Sequence, residues 1–449
     1  MNDRTHITEG PITRTIFKLA VPVVMGMLME VALSTTDYFW VGKLGAFAQD
    51  AVTTSMVVIW TIFAAMAVVS VGITAIVSRF VGAGDIEKVT HYIRQGMIMA
   101  AGMGLGFSVV GFLATPSLLS FMDTSPKTMT MAAPYLRVFF ASAVFFFLTE
   151  TAYSVFRASG DTATPTKVGI GIVLLNMALD PLLIFGWGPI PALGVMGASV
   201  ATGISIGLGM LVILTKLVRG RLGYDVGRLL SERPCLKSMW KIARIGLPSS
   251  SQTFAFVVVY WFLIKIVHTF GENAAAAMGI GNRMESFSYM TCFGFSVAAS
   301  TMVGQNIGAG NPDRAARCAW GSVASAIGIT LVMTVLFIAV PEWIASIFTN
   351  DPKVLAIAVD YLIILGISQA AMAIEIVLEG AFGGAGDTVP PMIVSMPGSA
   401  LRIPLAYYLC FTLDWGINGV WWTLTITTFL KAAALSIWFY RGRWKSKQI

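Results

Sequence analysis

Val52-Thr-Thr-Ser-Met-Val-Val-Ile-Trp60-Thr-Ile-Phe-Ala-Ala-Met-Ala-Val-Val-Ser70-Val-Gly-Ile-Thr-Ala-Ile-Val77 runs without a charged side chain. A helix needs about 20 predominantly apolar residues to cross roughly 30 Å of hydrocarbon, and this stretch exceeds that. Val138 to Val155, interrupted only by Glu150, and Val323 to Val340 are apolar runs of similar reach. Across the 449 residues, 56% are hydrophobic and 12% charged, against about 25% charged in an average soluble protein. A water-soluble fold of this composition would have too little polar surface. The pattern predicts an all-α membrane protein of about twelve transmembrane helices, with spans near 15–40, 51–78, 92–115, 133–157, 166–187, 194–217, 242–269, 275–303, 317–340, 354–382, 389–412 and 416–440.

The N-terminal residues, with Asp3, Arg4 and Glu9, lack the pattern of a removable signal peptide, so the first apolar run is expected to remain as a span. The four cysteines Cys235, Cys292, Cys318 and Cys410 are scattered and read as packing residues, with no metal spacing. The net charge of +7 does not indicate nucleic acid. With the N-terminus inside, most Lys and Arg fall on the cytoplasmic side, as positive-inside topology requires. The basic stretch from Lys216 to Arg244 and the C-terminal Arg441, Arg443, Lys445 and Lys447 share that side. Both termini are therefore expected to face the cytoplasm, in the inner membrane of a prokaryote.

The chain repeats itself. Phe80-Val-Gly-Ala-Gly-Asp85 returns as Asn306-Ile-Gly-Ala-Gly-Asn311, and Phe156-Arg-Ala-Ser-Gly-Asp-Thr162 as Phe382-Gly-Gly-Ala-Gly-Asp-Thr388. The same offset of about 226 positions carries Pro22 onto Pro248, Pro126 onto Pro352, Tyr135 onto Tyr361 and Pro165 onto Pro391, the mark of a duplicated unit. An even number of spans per copy gives two pseudo-symmetric six-helix bundles related by an axis along the membrane normal. The expected division is an N-terminal lobe over 1–220, a cytoplasmic basic linker over 221–240 and a C-terminal lobe over 241–449, with the transport path in the cleft between the lobes. The Gly-Ala-Gly turns read as short connections requiring positive φ. A phosphate-loop reading fails because no Gly-Lys-Ser/Thr follows and no strand precedes.

Carboxyl groups within spans are costly and ask for a reason, about 2.5–3.5 kcal/mol each on insertion scales. The first span carries Glu30 and Asp37 near one helical face, with Ser34, Thr35 and Thr36 offering hydroxyl oxygens. The fifth carries Asn176 and Asp180 one turn apart, and Pro181 leaves the Met177 carbonyl without its usual helical donor. Thr202 in the sixth span adds a further oxygen. This grouping predicts a site for a hard cation or a proton, against the plainer reading that such groups bridge helices by hydrogen bonds. Glu30, Glu150, Glu375 and Glu379, with Gln252 in the seventh span and Glu285 near the start of the eighth, are the weaker candidates for lining a cavity. An acidic lining favours cationic compounds. Arg402 and Lys431 are expected either to pair with Glu375 or Glu379 or to reach an interface.

These residues resemble the multidrug and toxic compound extrusion (MATE) family over essentially the whole chain. The likeness is carried by Asp37-Tyr-Phe-Trp-Val-Gly-Lys-Leu-Gly45, Asn176 with Asp180-Pro181, Val303-Gly-Gln-Asn-Ile-Gly-Ala-Gly310 and the paired Gly-Asp-Thr turns. The resemblance implies a two-lobed, twelve-helix antiporter exporting amphipathic, often cationic compounds in exchange for H+ or Na+ by alternating access. It implies no cofactor beyond the coupling ion, no nucleic acid, and a monomer in contact with membrane lipid. In the prokaryotic DinF-like branch, the positions matching Asp37, Asn176, Asp180 and Thr202 form the coupling site. Gln252 stands where other branches carry a glutamate, and Glu30 where a glutamine is expected. The alternatives are a flippase for lipid-linked precursors, which calls for a basic cavity, and an intramembrane enzyme. The latter would need a nucleophile with its base, and His6, His91 and His268 lie near span ends without a catalytic motif.

Overall fold

The computed structural model describes residues 5–122, 125–189, 191–227 and 232–448. Asp3 and Arg4 of the leader reading and residues 228–231 of the basic linker lie outside them. In the first half of the chain the helices are α1 (Thr5–Glu9), α2 (Ile12–Gly42), α3 (Ala46–Ala83), α4 (Ile86–Phe121), α5 (Pro126–Ala141), α6 (Ala143–Ala158), α7 (Ala163–Phe185) and α8 (Val195–Val218). The second half continues with α9 (Leu236–His268), α10 (Glu272–Gly308), α11 (Pro312–Ala339), α12 (Pro341–Ser346), α13 (Pro352–Ala385), α14 (Val389–Ala400), α15 (Arg402–Tyr407) and α16 (Asn418–Tyr440).

Among the described residues, nine helices are long and apolar enough to cross a membrane, and ten if α5 and α6, bent by 47°, count as one span. The predicted fourth span is thus a broken one. The predicted eleventh span is also broken, into α14, α15 and a π segment over Tyr408–Thr412, with Pro397 and Pro404 each removing a helical donor. Together with α10, which carries more polar residues than its neighbours, this run completes twelve spans in two bundles of six.

The duplication is visible in backbone geometry as well as in sequence. The starts of α3, α4, α5 and α7 recur as the starts of α10, α11, α13 and α14 at one common offset. Gly45 and Gly271, Gly84 and Gly310, and Gly160 and Gly386 all take positive φ, which a side chain would disfavour. Ser125 and Asp351 occupy the same repeat position, and each caps the following helix by accepting from a backbone N–H, Thr128 at 3.2 Å and Lys353 at 2.8 Å.

The chain forms two compact units, one of Met25–Gly246 and one joining Asn2–Val24 to Leu247–Ile449. Both α2 and α9 change unit within three residues of their repeat-related prolines, Pro22 and Pro248. In the first unit, α3 and the start of α9 meet at backbone contact. A Cβ on Gly72 would run into the Ile242 carbonyl, and one on Gly246 into the Val68 carbonyl. The linker is docked on α4: Arg94 Nε donates to the Val226 carbonyl at 2.9 Å, and Gln95 pairs with the Arg233 carbonyl and the Cys235 N–H at 3.0 and 2.8 Å. His91 stands between Glu232 at 2.5 Å and Ser238 at 2.8 Å.

In the second unit α13 is central, packed by α10, α11 and α16. Its core includes Phe295, Phe382, Phe439 and Trp444. The C-terminal segment folds back, so that the Trp444 ring stacks on Phe439 at 4.4 Å and its Nε1 donates to the Phe439 carbonyl. Lys445 reaches Asp313 at 2.7 Å and Lys447 reaches Asp387 at 3.0 Å.

Candidate ion and substrate sites

The four residues expected to form a coupling site come together in the first unit. Asp37 lies on the last turns of α2, Asn176 and Asp180 one turn apart on α7, and Thr202 on α8. Asn176 is 1% exposed and Asp180 0%, so these polar groups have left water and need partners. The Asn176 nitrogen lies 3.2 Å from Asp37 Oδ1, while its oxygen accepts from Thr202 Oγ1 at 3.1 Å and from the Thr202 backbone N–H at 2.9 Å. This amide orientation is an assignment from the network: the reverse would set the NH2 against an N–H and the oxygen against a carboxyl group.

The Asp37 and Asp180 side chains are within hydrogen-bond reach of each other. Two carboxylates cannot share that contact unless a proton or a cation stands between them. Asp180 Oδ1 accepts from no donor among the described residues. The Asp37 and Asp180 carboxyl oxygens thus meet at a largely buried point, with the Asn176 nitrogen on Asp37 and its oxygen turned to Thr202, an arrangement able to take a proton or a hard monovalent cation between the two carboxyl groups. No cluster of three or more His, Cys, Asp or Glu that would hold a resident metal occurs among the described residues.

Two details add to the sequence reading. Ser34, Thr35 and Thr36 donate back to their own helix, at Val31 and Ala32 carbonyls over 2.8–3.0 Å, which commits their hydroxyl protons to the backbone and leaves their oxygen lone pairs free. Tyr135 on α5, buried and within electrostatic range of both aspartates, was legible only as a repeat marker. Its repeat mate Tyr361 also serves a polar centre, donating to Asn282 Oδ1 at 2.9 Å.

The weaker candidates divide between the units. Glu30 is exposed on α2. Glu150 is ion-paired with Arg157 on the same helix, with Ser154 bridging at 3.5 and 3.2 Å. Arg157, at the end of the predicted fourth span, is a paired membrane cation beyond Arg402 and Lys431. In the second unit, Gln252 Nε2 and Ser395 Oγ both donate to Glu379 Oε1, at 2.5 and 2.6 Å. Lys431 Nζ donates to Glu375 Oε1 at 2.5 Å, one of the pairings expected for it. Arg402 pairs with neither Glu375 nor Glu379; it donates to Thr427 and Thr428.

The MatE family model matches residues 22–182 and again 248–408, two segments that reproduce the internal repeat. The chain is 28% identical to a probable multidrug resistance protein NorM of Thermotoga maritima, covering 98% of this chain and 94% of the relative. It is 25% identical to a protein of Shewanella oneidensis named FAD transporter, over 97% and 96% of the two chains. An outward-facing structure of a multidrug resistance MATE family transporter of the MOP superfamily shares the fold, with a TM-score of 0.92 at 23% identity over 100% of both chains.

Proposed function

We propose that this chain, which belongs to the MatE family, is a secondary antiporter exporting amphipathic, often cationic compounds in exchange for H+ or Na+. The observation that carries this reading is the buried contact of Asp37 with Asp180, bridged to Thr202 through Asn176. A proton or sodium ion entering from outside relieves the repulsion between the two carboxyl groups. Its release restores a negative site that attracts a cationic compound. Coupling then needs only that ion and compound prefer different states of the transporter, and the units alternate access by exchanging those states.

Pro22 and Pro248, beside the points where α2 and α9 pass between units, are the positions at which these helices bend most cheaply. The protein works as a monomer in the inner membrane of a prokaryote, with both termini cytoplasmic. The flippase reading is weaker because two membrane cations are already spent: Arg157 on Glu150 and Lys431 on Glu375.

Reconstitution in liposomes, with a sodium gradient and a pH gradient imposed separately, tests the proposal. Uptake of a fluorescent cation should follow one of the two gradients. Uptake that follows neither would remove the exchange mechanism.

A further inference from the structure

The 33 residues of α9 make a helix of about 50 Å, against roughly 30 Å of hydrocarbon. Centred on that core, it overhangs by about 10 Å at each end. Lys265 stands one turn before the end remote from the linker. A helical side chain leans toward the start of its helix, and Lys265 does so: its Nζ lies over the Trp261 ring, 3.7 Å from the centroid. The ammonium is therefore held about 10 Å short of the helix end, at the boundary of hydrocarbon and headgroups, instead of reaching past it to water. It forms no ion pair and no hydrogen bond among the described residues. A cation at that depth calls for a negative partner.

Beside it a groove of about 470 Å³ opens between α9, α15 and the π segment Tyr408–Thr412, a volume typical of small-ligand sites. The π segment is closed by the Leu413 N–H, which donates to the Tyr408 carbonyl at 3.0 Å. Among the described residues Lys265 is the only charged one lining the groove. Phe262 precedes Lys265 on α9, and Ile403 and Pro404 precede Thr412 on the neighbouring run, so the polar groups gather at the span end and the apolar walls lie deeper. Trp261, Tyr407, Tyr408 and Trp415 are exposed nearby in the chain, the aromatic girdle that marks headgroup level. At about 100° per residue, Lys265 points roughly 140° around α9 from Tyr260, whose partner is Asn282 on α10. The groove thus occupies a separate flank of the second unit.

We propose that this groove binds an anionic phospholipid of the leaflet remote from the linker, with the phosphodiester on Lys265 and one acyl chain along Phe262, Ile403 and Pro404. A single positive charge at the headgroup boundary complements a lipid of net negative charge, whereas a zwitterionic lipid brings its own cation against it. The site is independent of the export reading and needs only that the helices span a membrane.

The test uses the full chain in phosphatidylcholine nanodiscs doped with a trace of phosphatidylglycerol or phosphatidylcholine, each carrying the same diazirine-bearing acyl chain. After illumination, labelled peptides are identified by mass spectrometry. Labels from phosphatidylglycerol should map to 261–266 and 403–412 and exceed those from phosphatidylcholine. Lys265→Gln should lower that ratio by about fivefold, the effect of one lysine at a charged membrane surface. Lys265→Arg should keep it. Ile403→Trp, which fills the apolar end, should reduce labelling by both lipids. Lys265 is exposed, so the unfolding midpoint of Lys265→Gln should match the wild type and a lost ratio reports binding. Equal labelling by the two lipids, a ratio unchanged in Lys265→Gln, or labels confined to other segments overturns the inference. Displacement of the label by inorganic phosphate alone also overturns it, by assigning Lys265 to a free anion.

Discussion

Lys431 Nζ and Glu375 Oε1 form an ion pair of 2.5 Å between α16 and α13, with side chains only 5% and 12% exposed. Such a pair, once desolvated, costs most when it is half removed. Lys431→Met or Glu375→Met alone should therefore destabilise the second unit by about 3–5 kcal/mol. The double replacement Lys431→Met with Glu375→Met should recover much of that loss. Thermal unfolding of all four proteins in one detergent, read as a double-mutant cycle, measures it. Additive losses would mean that the two residues are not coupled.

The close approach of α3 and α9 makes a second prediction. Gly246 leaves no room for a Cβ beside the Val68 carbonyl, and Gly72 none beside the Ile242 carbonyl. A backbone atom cannot step aside as a flexible side chain can. Gly246→Ala should lower the unfolding midpoint and the yield of folded protein. Gly279→Ala, where a Cβ meets nothing within 4 Å, should be tolerated.

The folded-back C-terminus is held chiefly by Trp444, which is 1% exposed. Trp444→Ala removes its stack on Phe439 and its bond to the Phe439 carbonyl together, a change expected to cost about 3–5 kcal/mol as for other buried aromatics. Limited proteolysis should then cut after Arg441 or Arg443 faster than in the wild-type protein. Lys445→Ala should have little effect, because its partner Asp313 is 88% exposed and surface pairs contribute little.

Asp85 caps α4 by accepting from the Lys88 N–H at 3.1 Å and from Lys88 Nζ at 2.7 Å. The Lys88 side chain, then its backbone N–H, hold the Asp85 carboxyl below the ordinary value of 3.8. Stability from this charge is therefore complete above the unfolded-state value and is lost as pH falls through the lower folded value. The midpoint difference between wild type and Asp85→Asn should be constant from neutral pH down to about 4 and shrink only in stronger acid. A difference already shrinking near pH 6 would contradict the assignment.

Much of this was legible in the sequence because the duplication marks it twice. Positive-φ glycines, capped helix starts and prolines recur at one offset, so each turn vouches for its mate. That Asp37, Asn176, Asp180 and Thr202 meet was readable because polar side chains are costly within apolar spans and because Asn176 and Asp180 fall one turn apart. Tyr135 was not, since a tyrosine in an apolar span gives no sign of which helix its hydroxyl approaches. The pairing of Glu150 with Arg157 was obscured because Arg157 lies at a span end, where a cation usually reaches for water. The failure of Arg402 to pair with a glutamate depends on the placement of α15 beyond Pro397. Hydropathy, which sees one continuous span there, does not encode that break.

The most direct test of the central claim is gradient-driven export of a fluorescent cation by the reconstituted protein carrying Asp37→Asn, Asp180→Asn or both. If the two carboxyl groups act as one ion-binding unit, each single replacement should abolish gradient-driven export of a fluorescent cation. The double replacement should then be no worse than either alone. Export at wild-type rates in the double variant would contradict the account.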